Sequence, residues 1–173
     1  MHSGIVLWGA SCPEGTNGHA AAHALLSLAL AETWGWTDTP PMARGARGKP
    51  FFPDWPERQF NLSHTQGLCL CALSGAGEVG VDIERVRPRR ENLPRYVMSE
   101  TELSAFDGTW EDFTRIWTLK EAFCKLQGTS VYPPTSVPVP PPSLYRSYAG
   151  EGWRAALCAQ AGVLPEEILW ARL

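Results

Sequence analysis

The chain has 173 residues, 44% of them hydrophobic, and carries 15 Lys and Arg residues against 18 Asp and Glu residues, a net charge of −3. This is enough for a sizeable buried core, as one domain or as two small fused lobes. A balanced, slightly acidic chain argues against a nucleic-acid-binding protein, which needs a broad basic surface. The five cysteines lack zinc-finger spacing, and we expect buried, reduced thiols.

The longest apolar run, AAHALLSLALA, contains a His and a Ser and is too short to span a bilayer. The first residues, MHSGIVLWGAS, show no basic region of the kind that opens a secretory signal. We therefore expect a soluble, cytoplasmic monomer with no nucleic-acid and no membrane partner.

The first half of the chain predicts a strand, a helix, a long loop and then more strands. Residues 4–8 form a short apolar run, and residues 17–34 are an Ala- and Leu-rich helix with Asn17 as its N-cap. Residues 35–59 are rich in proline and form a loop. Three apolar segments then predict an antiparallel meander: FNLSH, GLCLCAL and VGVDIERV (79–86).

The second half repeats the order of strand, helix and strands, which predicts an α+β fold. Ser99 and Glu102 have the spacing of a capping box. A longer helix should begin near Thr109 and end at Gly128. Six prolines within residues 133–142 predict a stiff connection, and GWRAALCAQ and ILWARL are predicted closing strands.

Asp82 and Glu84 are the first candidate site residues. Residues two apart on a strand point to the same side, and two adjacent carboxylates repel unless a cation lies between them. Magnesium suits such a pair because one or two carboxylates hold it while it keeps water for phosphate oxygens. The alternative is an exposed edge strand with two ordinary acids.

The segment WTLKEAFCK (117–125) places three charges in an apolar stretch. Glu121 and Lys125 are four residues apart and share one helix face, with Lys120 beside them. An exposed Glu–Lys pair is common and contributes only about 0.3–0.5 kcal/mol. Together with the two acids on the strand, however, a third carboxylate and two lysines could bind a diphosphate and its magnesium ion.

Two further segments are weaker signals. His64 follows an apolar strand and could donate to a phosphate, although a lone His is more often a structural hydrogen-bonding residue. In RGKPFF (47–52), Gly48 and Pro50 predict a turn that directs Lys49.

Taken in order, GKPFF, FNLSHT, VGVDIERV and WTLKEAFCKLQGT resemble the 4'-phosphopantetheinyl transferase family, in its broad-specificity, carrier-modifying branch. The resemblance covers residues 47–128. It implies two similar α+β lobes related by a pseudo-twofold axis, with the site between them. We place the N-terminal lobe at residues 1–76 and the C-terminal lobe, which carries the metal site, at residues 77–173.

The resemblance also implies a reaction: the 4'-phosphopantetheine arm of coenzyme A is transferred to a serine of an apo acyl or peptidyl carrier protein, releasing adenosine 3',5'-bisphosphate. It implies Mg²⁺ held by Asp82, Glu84 and Glu121, with Glu121 also helping to deprotonate the serine. It implies coenzyme A contacts from a second set of residues: Lys49, Pro50, Ser63, His64, Lys120 and Lys125.

The sequence departs from the family in the first predicted helix, where relatives carry an arginine for the 3'-phosphate. Residues 17–34 contain no Arg or Lys, and only His19 and His23 could replace it there. Arg44 and Arg47 in the following loop are the other candidates to compensate.

The basic run that follows the metal strand is the candidate surface for an acidic carrier, through Arg87, Arg89 or Arg90. Two other functions share part of this residue pattern. One is a catalytically inactive homologue that binds coenzyme A or the carrier, and the intact acids and lysines argue against it. The other is a magnesium nuclease, which needs a Glu-x-Lys strand that VDIERV lacks.

Overall fold

The computed structural model describes residues 4–13 and 15–173. Its first sheet contains four strands: β1 (Ile5–Ser11), β4 (Gln59–Thr65), β5 (Leu68–Ser74) and β9 (Leu169–Arg172). Their order in the sheet is β4-β5-β1-β9. Strand β1 pairs antiparallel with β5 and parallel with β9, and β4 pairs antiparallel with β5.

Helix α1 (Gly18–Trp34) covers one face of this sheet. As predicted, Asn17 caps it, because the Asn17 side chain accepts a hydrogen bond from the Ala20 amide at 3.1 Å. Its leucines pack against the side chains of β5 that face it, Cys69, Cys71 and Leu73. The alternate residues of β5 face the second sheet, so this strand is buried on both faces.

The second sheet has the order β6-β8-β7 and is antiparallel. Its strands are β6 (Val79–Arg85), β7 (Tyr145–Gly150) and β8 (Trp153–Ala159), and helix α4 (Trp110–Gln127) packs on β6 and β8. The predicted meander is therefore wrong at its third strand. Strand β5 already pairs on both edges, with β4 and β1, so β6 has no free edge there and pairs with β8.

The remaining elements are short. Strands β2 (Ala43–Arg44) and β3 (Pro50–Phe51) form a small hairpin within the predicted loop. Helices α2 (Leu93–Val97) and α3 (Glu100–Ala105) precede α4, and the predicted capping box of Ser99 and Glu102 is present. The proline-rich segment contains two short 3-10 turns. Among the described residues, no helix is long and apolar enough to cross a membrane.

The α+β class is confirmed, while the lobe boundary at residues 76 and 77 and the pseudo-twofold axis stay predictions. The predicted closing strand ILWARL returns to the first sheet, where Trp170 pairs with Gly9. Strand β7 was not predicted from the sequence. The junction that positions the site lies between β4 and β6, the facing edge strands of the two sheets.

Candidate active site

Polar side chains of β4 join it to β6. Asn61, Ser63 and Thr65 alternate along the strand and therefore point to one side. The Val81 amide donates to Asn61 Oδ1 at 2.8 Å, and the Ile83 amide donates to Ser63 Oγ at 3.2 Å. These side chains satisfy backbone donors of β6 that a neighbouring strand would otherwise satisfy.

Asp82 is the centre of the site. Its side chain is nearly buried, and its Oδ1 accepts hydrogen bonds from Ser63 Oγ at 3.0 Å and from Lys125 Nζ at 2.7 Å. Its Oδ2 is buried and has no hydrogen-bond partner. A carboxylate oxygen left in this way is costly, and it is an available ligand atom for a hard cation.

A glycine allows α4 to approach β6 closely enough to place Lys125 beside Asp82. A Cβ atom at Gly80 would lie 2.1 Å from the carbonyl oxygen of Ala122 and 2.3 Å from the amide nitrogen of Leu126. Helix backbone thus fills the space that a side chain would need. At this distance Lys125 Nζ also donates to the Val81 carbonyl at 3.1 Å.

Glu84 and Glu121 complete an acidic group with Asp82. Burial, followed by the negative charge of Asp82, raises the pKa of each of the two glutamates above its ordinary value. Lys125 opposes the shift at both, and Arg89 and Arg87 oppose it at Glu84. Thr65 Oγ1 donates to Glu84 at 3.5 Å. The three predicted acids therefore share one electrostatic environment.

The acids do not form a closed ligand cage. In residues 4–13 and 15–173, no group of three or more His, Cys, Asp or Glu side chains is arranged to hold a metal ion. The donor set is nevertheless suitable for magnesium, because carboxylate oxygens with open coordination positions leave room for water and phosphate. The residues present thus fit the ion through Asp82 Oδ2 and the neighbouring glutamates.

Lys120 does not lie at this site, contrary to the prediction. Its side chain is fully buried, and Nζ donates to the carbonyls of Val97 at 2.8 Å and Pro134 at 2.9 Å. It also forms an ion pair with Glu102, at 2.6 Å. Lys120 therefore connects α4 to the capping box and to the proline-rich segment, and all of its partners are provided by the fold.

The predicted loop lysine lies near Lys125. Lys49 pairs with the Glu78 carboxylate and donates to the Val79 carbonyl at 3.0 Å. With Arg47, Pro50 and Lys125 it lines a cavity of about 240 Å³. This cavity combines three cationic side chains beside the acidic group.

Arg44 faces a different neighbourhood. Its guanidinium donates to the Gly48 carbonyl at 2.9 Å. Its charge contributes, after burial and the neighbouring His19, to lowering the pKa of His23. The rings of His19 and His23 lie 4.4 Å apart on α1, so the two histidines and Arg44 share one surface.

His64 borders a separate cavity of about 770 Å³, which Thr65, Arg85 and Cys12 also line. Its side chain is exposed and lies against the start of α1, where a Cβ atom at Gly18 would be 2.5 Å from His64 Nδ1. The structure therefore does not bring His64 into the cavity of Lys49. Ser63, by contrast, is buried and bonded to Asp82.

The roles of Asn61, Thr65 and Gly80 were not predicted from the sequence. The alternation of Asn61, Ser63 and Thr65 in NLSHT was a usable signal, because three polar side chains on one side of a strand need partners there. The role of Gly80 depends on α4, which is distant in the sequence, and no local signal indicated it.

The fold and the site define an α+β protein with an acid–lysine centre at the junction of two sheets. Comparison with known proteins agrees with this description. A model of the 4'-phosphopantetheinyl transferase superfamily matches residues 78–151. The chain is 37% identical over 137 residues to the 4'-phosphopantetheinyl transferase AcpT of Salmonella typhi, covering 74% of this chain and 68% of that protein.

Two further relatives carry the same designation. The 4'-phosphopantetheinyl transferase Sfp of Bacillus subtilis is 29% identical over 143 residues, 70% of this chain and 63% of its own. The AcpT of Escherichia coli strain K12 is 39% identical over 124 residues, 68% of this chain and 60% of its own. The chain thus spans about three fifths to two thirds of their length. It belongs to the 4'-phosphopantetheinyl transferase superfamily, which confirms the family resemblance.

Proposed function

We propose that this chain transfers the 4'-phosphopantetheine arm of coenzyme A to a serine of an apo acyl or peptidyl carrier protein, releasing adenosine 3',5'-bisphosphate. Membership of the family supports this proposal. The observation that carries it is Asp82, whose Oδ2 is buried without a partner while Oδ1 is held by Lys125. A carboxylate with an unpartnered oxygen and two further acids can hold a metal ion, and the lysine can pair with the diphosphate that the ion binds.

In this proposal Asp82, Glu84 and Glu121 hold Mg²⁺. The bound ion would offset the charge of the coenzyme A diphosphate and make its β-phosphorus more electrophilic. The chain's own contribution is the fixed arrangement of the acids. Ser63 holds Asp82 in place through its hydrogen bond. We therefore propose that Ser63 positions this acid, in place of the predicted contact of Ser63 with coenzyme A.

The bond changes are those of a displacement at phosphorus. The carrier serine oxygen forms a bond to the β-phosphorus, and the bond from that phosphorus to the oxygen bridging the two phosphates breaks. Lys125 would neutralise the charge that develops on the departing phosphate. Glu121 would accept the serine proton, directly or through water, and its burial suits a carboxylate that must hold a proton.

Coenzyme A binding is proposed to use the two cavities beside the acids. Lys49, Pro50 and Arg47 would bind from the smaller cavity and His64 from the larger one. Arg44 would supply positive charge near α1, which has no Arg or Lys of its own, and His19 and His23 would offer ring nitrogens for hydrogen bonds. Lys120 has no part in this contact, since its partners are internal.

The carrier is proposed to approach over the exposed arginines after β6, Arg87, Arg89 and Arg90. Opposite charges would accelerate its association. Reversing Arg90 to Glu should lower carrier affinity and weaken its salt dependence while coenzyme A binding stays constant. Unchanged carrier kinetics at low salt would contradict this assignment.

The main test is intact-protein mass spectrometry of apo carriers incubated with the protein, coenzyme A and Mg²⁺. We expect the carrier to gain the mass of phosphopantetheine with the wild type, and not with Glu121→Gln. Trp170→Ala, far from the acids in the sequence and partly exposed, is the matched control and should react like the wild type. A folded protein that binds coenzyme A but modifies none of several unrelated carriers would instead be an inactive homologue.

We further propose that the protein is a cytoplasmic monomer with no nucleic-acid or membrane partner. Size-exclusion chromatography with light scattering checks the oligomeric state, and a dimer mass would contradict it.

A further inference from the structure

We propose that Cys12 and Cys69 form a reversible disulfide when a low-molecular-weight disulfide reacts with Cys12. Both thiols are free, and Cys12 Sγ donates a hydrogen bond to Cys69 Sγ at 3.6 Å. The two sulfur atoms are thus in contact within the first sheet. The covalent step is independent of the proposed function, whereas its consequence for coenzyme A binding rests on that function.

The pairing of β1 with β5 brings the two cysteines to one face of the sheet. Ala10 lies opposite Cys69 in the register, and Cys12 is two residues beyond Ala10 on the same side. The Cys12 amide donates to the Gly67 carbonyl at 2.9 Å, which continues the antiparallel pairing beyond the end of β1. Cys12 and Cys69 are therefore diagonal neighbours, whose side chains can meet across an antiparallel pair.

Formation of the bond needs little movement. A disulfide requires the two sulfur atoms to approach from 3.6 Å to about 2 Å. Cys12 lies immediately after β1, which ends at Ser11, in the connection to α1. A rotation of the Cys12 side chain and a small backbone shift at this strand end would close the distance. Cys69 is fully buried in β5 and would stay in place.

The two thiols differ in their access to solvent, which assigns their roles. Cys12 is partly exposed and lines the larger cavity, of about 770 Å³, so a small molecule can reach its sulfur. Burial, followed by the hydrogen bond from Cys12, raises the pKa of Cys69 to about 12. Because thiol reactivity follows thiolate character and access, Cys12 reacts first and Cys69 follows.

Two thiol–disulfide exchanges complete the reaction. The Cys12 sulfur bonds to one sulfur of the small disulfide, whose S–S bond breaks, and the departing thiol takes the Cys12 proton. The Cys69 sulfur then bonds to the Cys12 sulfur, and the second small thiol departs with the Cys69 proton. Both cysteines are oxidised, and one small disulfide is reduced to two thiols. The contact between the two cysteines makes the second exchange intramolecular, which favours it.

The second exchange would keep the larger cavity open. A small thiol attached to Cys12 would occupy the cavity that is proposed to contact coenzyme A through His64. Attack by Cys69 removes that group and directs the Cys12 sulfur toward β5. Cys69 would therefore protect the coenzyme A site from a persistent thiol adduct, and excess reduced thiol would later restore both cysteines.

Incubation with glutathione disulfide, followed by alkylation and non-reducing peptide mapping by mass spectrometry, tests the covalent step. We expect the wild-type chain to lose two hydrogen masses and to yield a linked Cys12–Cys69 peptide. Cys69→Ala should stop at a glutathione adduct on Cys12, and Cys12→Ser should leave Cys69 unmodified. Cys71→Ala removes another buried thiol of β5 and is the matched control, which should react like the wild type.

A glutathione adduct that persists on Cys12 of the wild type, or a wild type that stays reduced, would overturn the proposal. The wild-type peptide map settles this point even if a variant does not fold. Carrier modification is then measured before and after oxidation of each protein. The oxidised wild type should keep its rate, whereas oxidised Cys69→Ala should lose its activity and recover it with dithiothreitol.

The activity measurements separate the disulfide from the proposed function. Loss of activity in a wild type that carries the Cys12–Cys69 bond would refute the protective role of Cys69. A wild type that forms the bond but modifies no carrier, either reduced or oxidised, would support the disulfide and refute transfer.

Discussion

Lys120 and Lys125 lie on the same helix, five residues apart, and have opposite environments. Lys120 is fully buried, and Glu102 and two carbonyls satisfy it. The Lys125 side chain is 30% exposed and pairs with Asp82, whose second oxygen has no partner. Five residues rotate a helix by about 500°, so the two side chains leave on faces about 140° apart. An ion pair whose polar atoms all have partners stabilises the fold, whereas an ion pair with an unpartnered oxygen can bind a ligand.

The largest effect that separates the two lysines is on stability. Lys120→Met leaves Glu102 and the carbonyls of Val97 and Pro134 without their donor. We expect the free energy of unfolding to fall by about 3–5 kcal/mol, because a buried charge loses its partner. Urea denaturation followed by circular dichroism measures it. A loss below about 1 kcal/mol would mean that water replaces the lysine.

Lys125→Met should show the reverse pattern. We expect the rate of carrier modification to fall about 10²–10³-fold, as when one group that stabilises developing charge is removed. The free energy of unfolding should fall less in Lys125→Met than in Lys120→Met, because the Lys125 side chain is partly open to water. Both values come from parallel mass-spectrometric and urea assays. Full activity in Lys125→Met would remove the distinction between the two lysines.

Gly80→Ala tests whether the contact of Lys125 with Asp82 depends on the close approach of α4 to β6. The added Cβ would meet helix backbone at Ala122 and Leu126, which cannot rotate away. We expect a loss of about 1–3 kcal/mol in stability, together with reduced activity, because Lys125 moves from Asp82. Gly77→Ala is a poor control because Gly77 has a positive φ of 133°. Gly45→Ala serves better, since its nearest neighbour would be at 3.6 Å.

The smallest effect is the acid sensitivity of the buried pair. Burial opposes the charge of Glu102, but hydrogen bonds from Lys120 and from the Ser99 and Val139 amides lower its pKa overall. A lowered pKa in the folded state means that its stabilisation is present above the ordinary glutamate pKa and is lost as pH falls through the folded value. Stability should therefore decrease in that acidic range.

The double variant Lys120→Met with Glu102→Gln removes both charges of the pair. It should be more stable at neutral pH than Lys120→Met alone, since no unpaired charge remains, and it should lose less stability in acid. Urea titrations of the three proteins at several pH values measure both effects. Parallel acid profiles in the wild type and the double variant would show that Glu102 does not contribute.

The local elements followed from the sequence because their signals are local. As the sequence pattern predicts, Asn17 and Ser99 are N-cap residues of helices in the structure and Gly128 is a C-cap residue. The alternation in Asp82-Ile83-Glu84 and the four-residue spacing of Glu121 and Lys125 also indicated which charges belong together. The order of the four motifs along the chain was sufficient to predict the family.

Tertiary packing decided the rest. The sequence places Lys120 and Lys125 in one charged segment, and only the packing of α3 and the proline-rich segment against α4 buries one of them. Both edges of β5 are paired with other strands, so β6 belongs to the second sheet. Strands β4 and β6 therefore face each other without backbone pairing, and their side chains form the site. Strand periodicity determines which side chains share a face. The burial and the partners of a charged side chain depend on residues distant in the sequence. Burial and partners determine whether that charge is paired within the fold or remains available to a ligand.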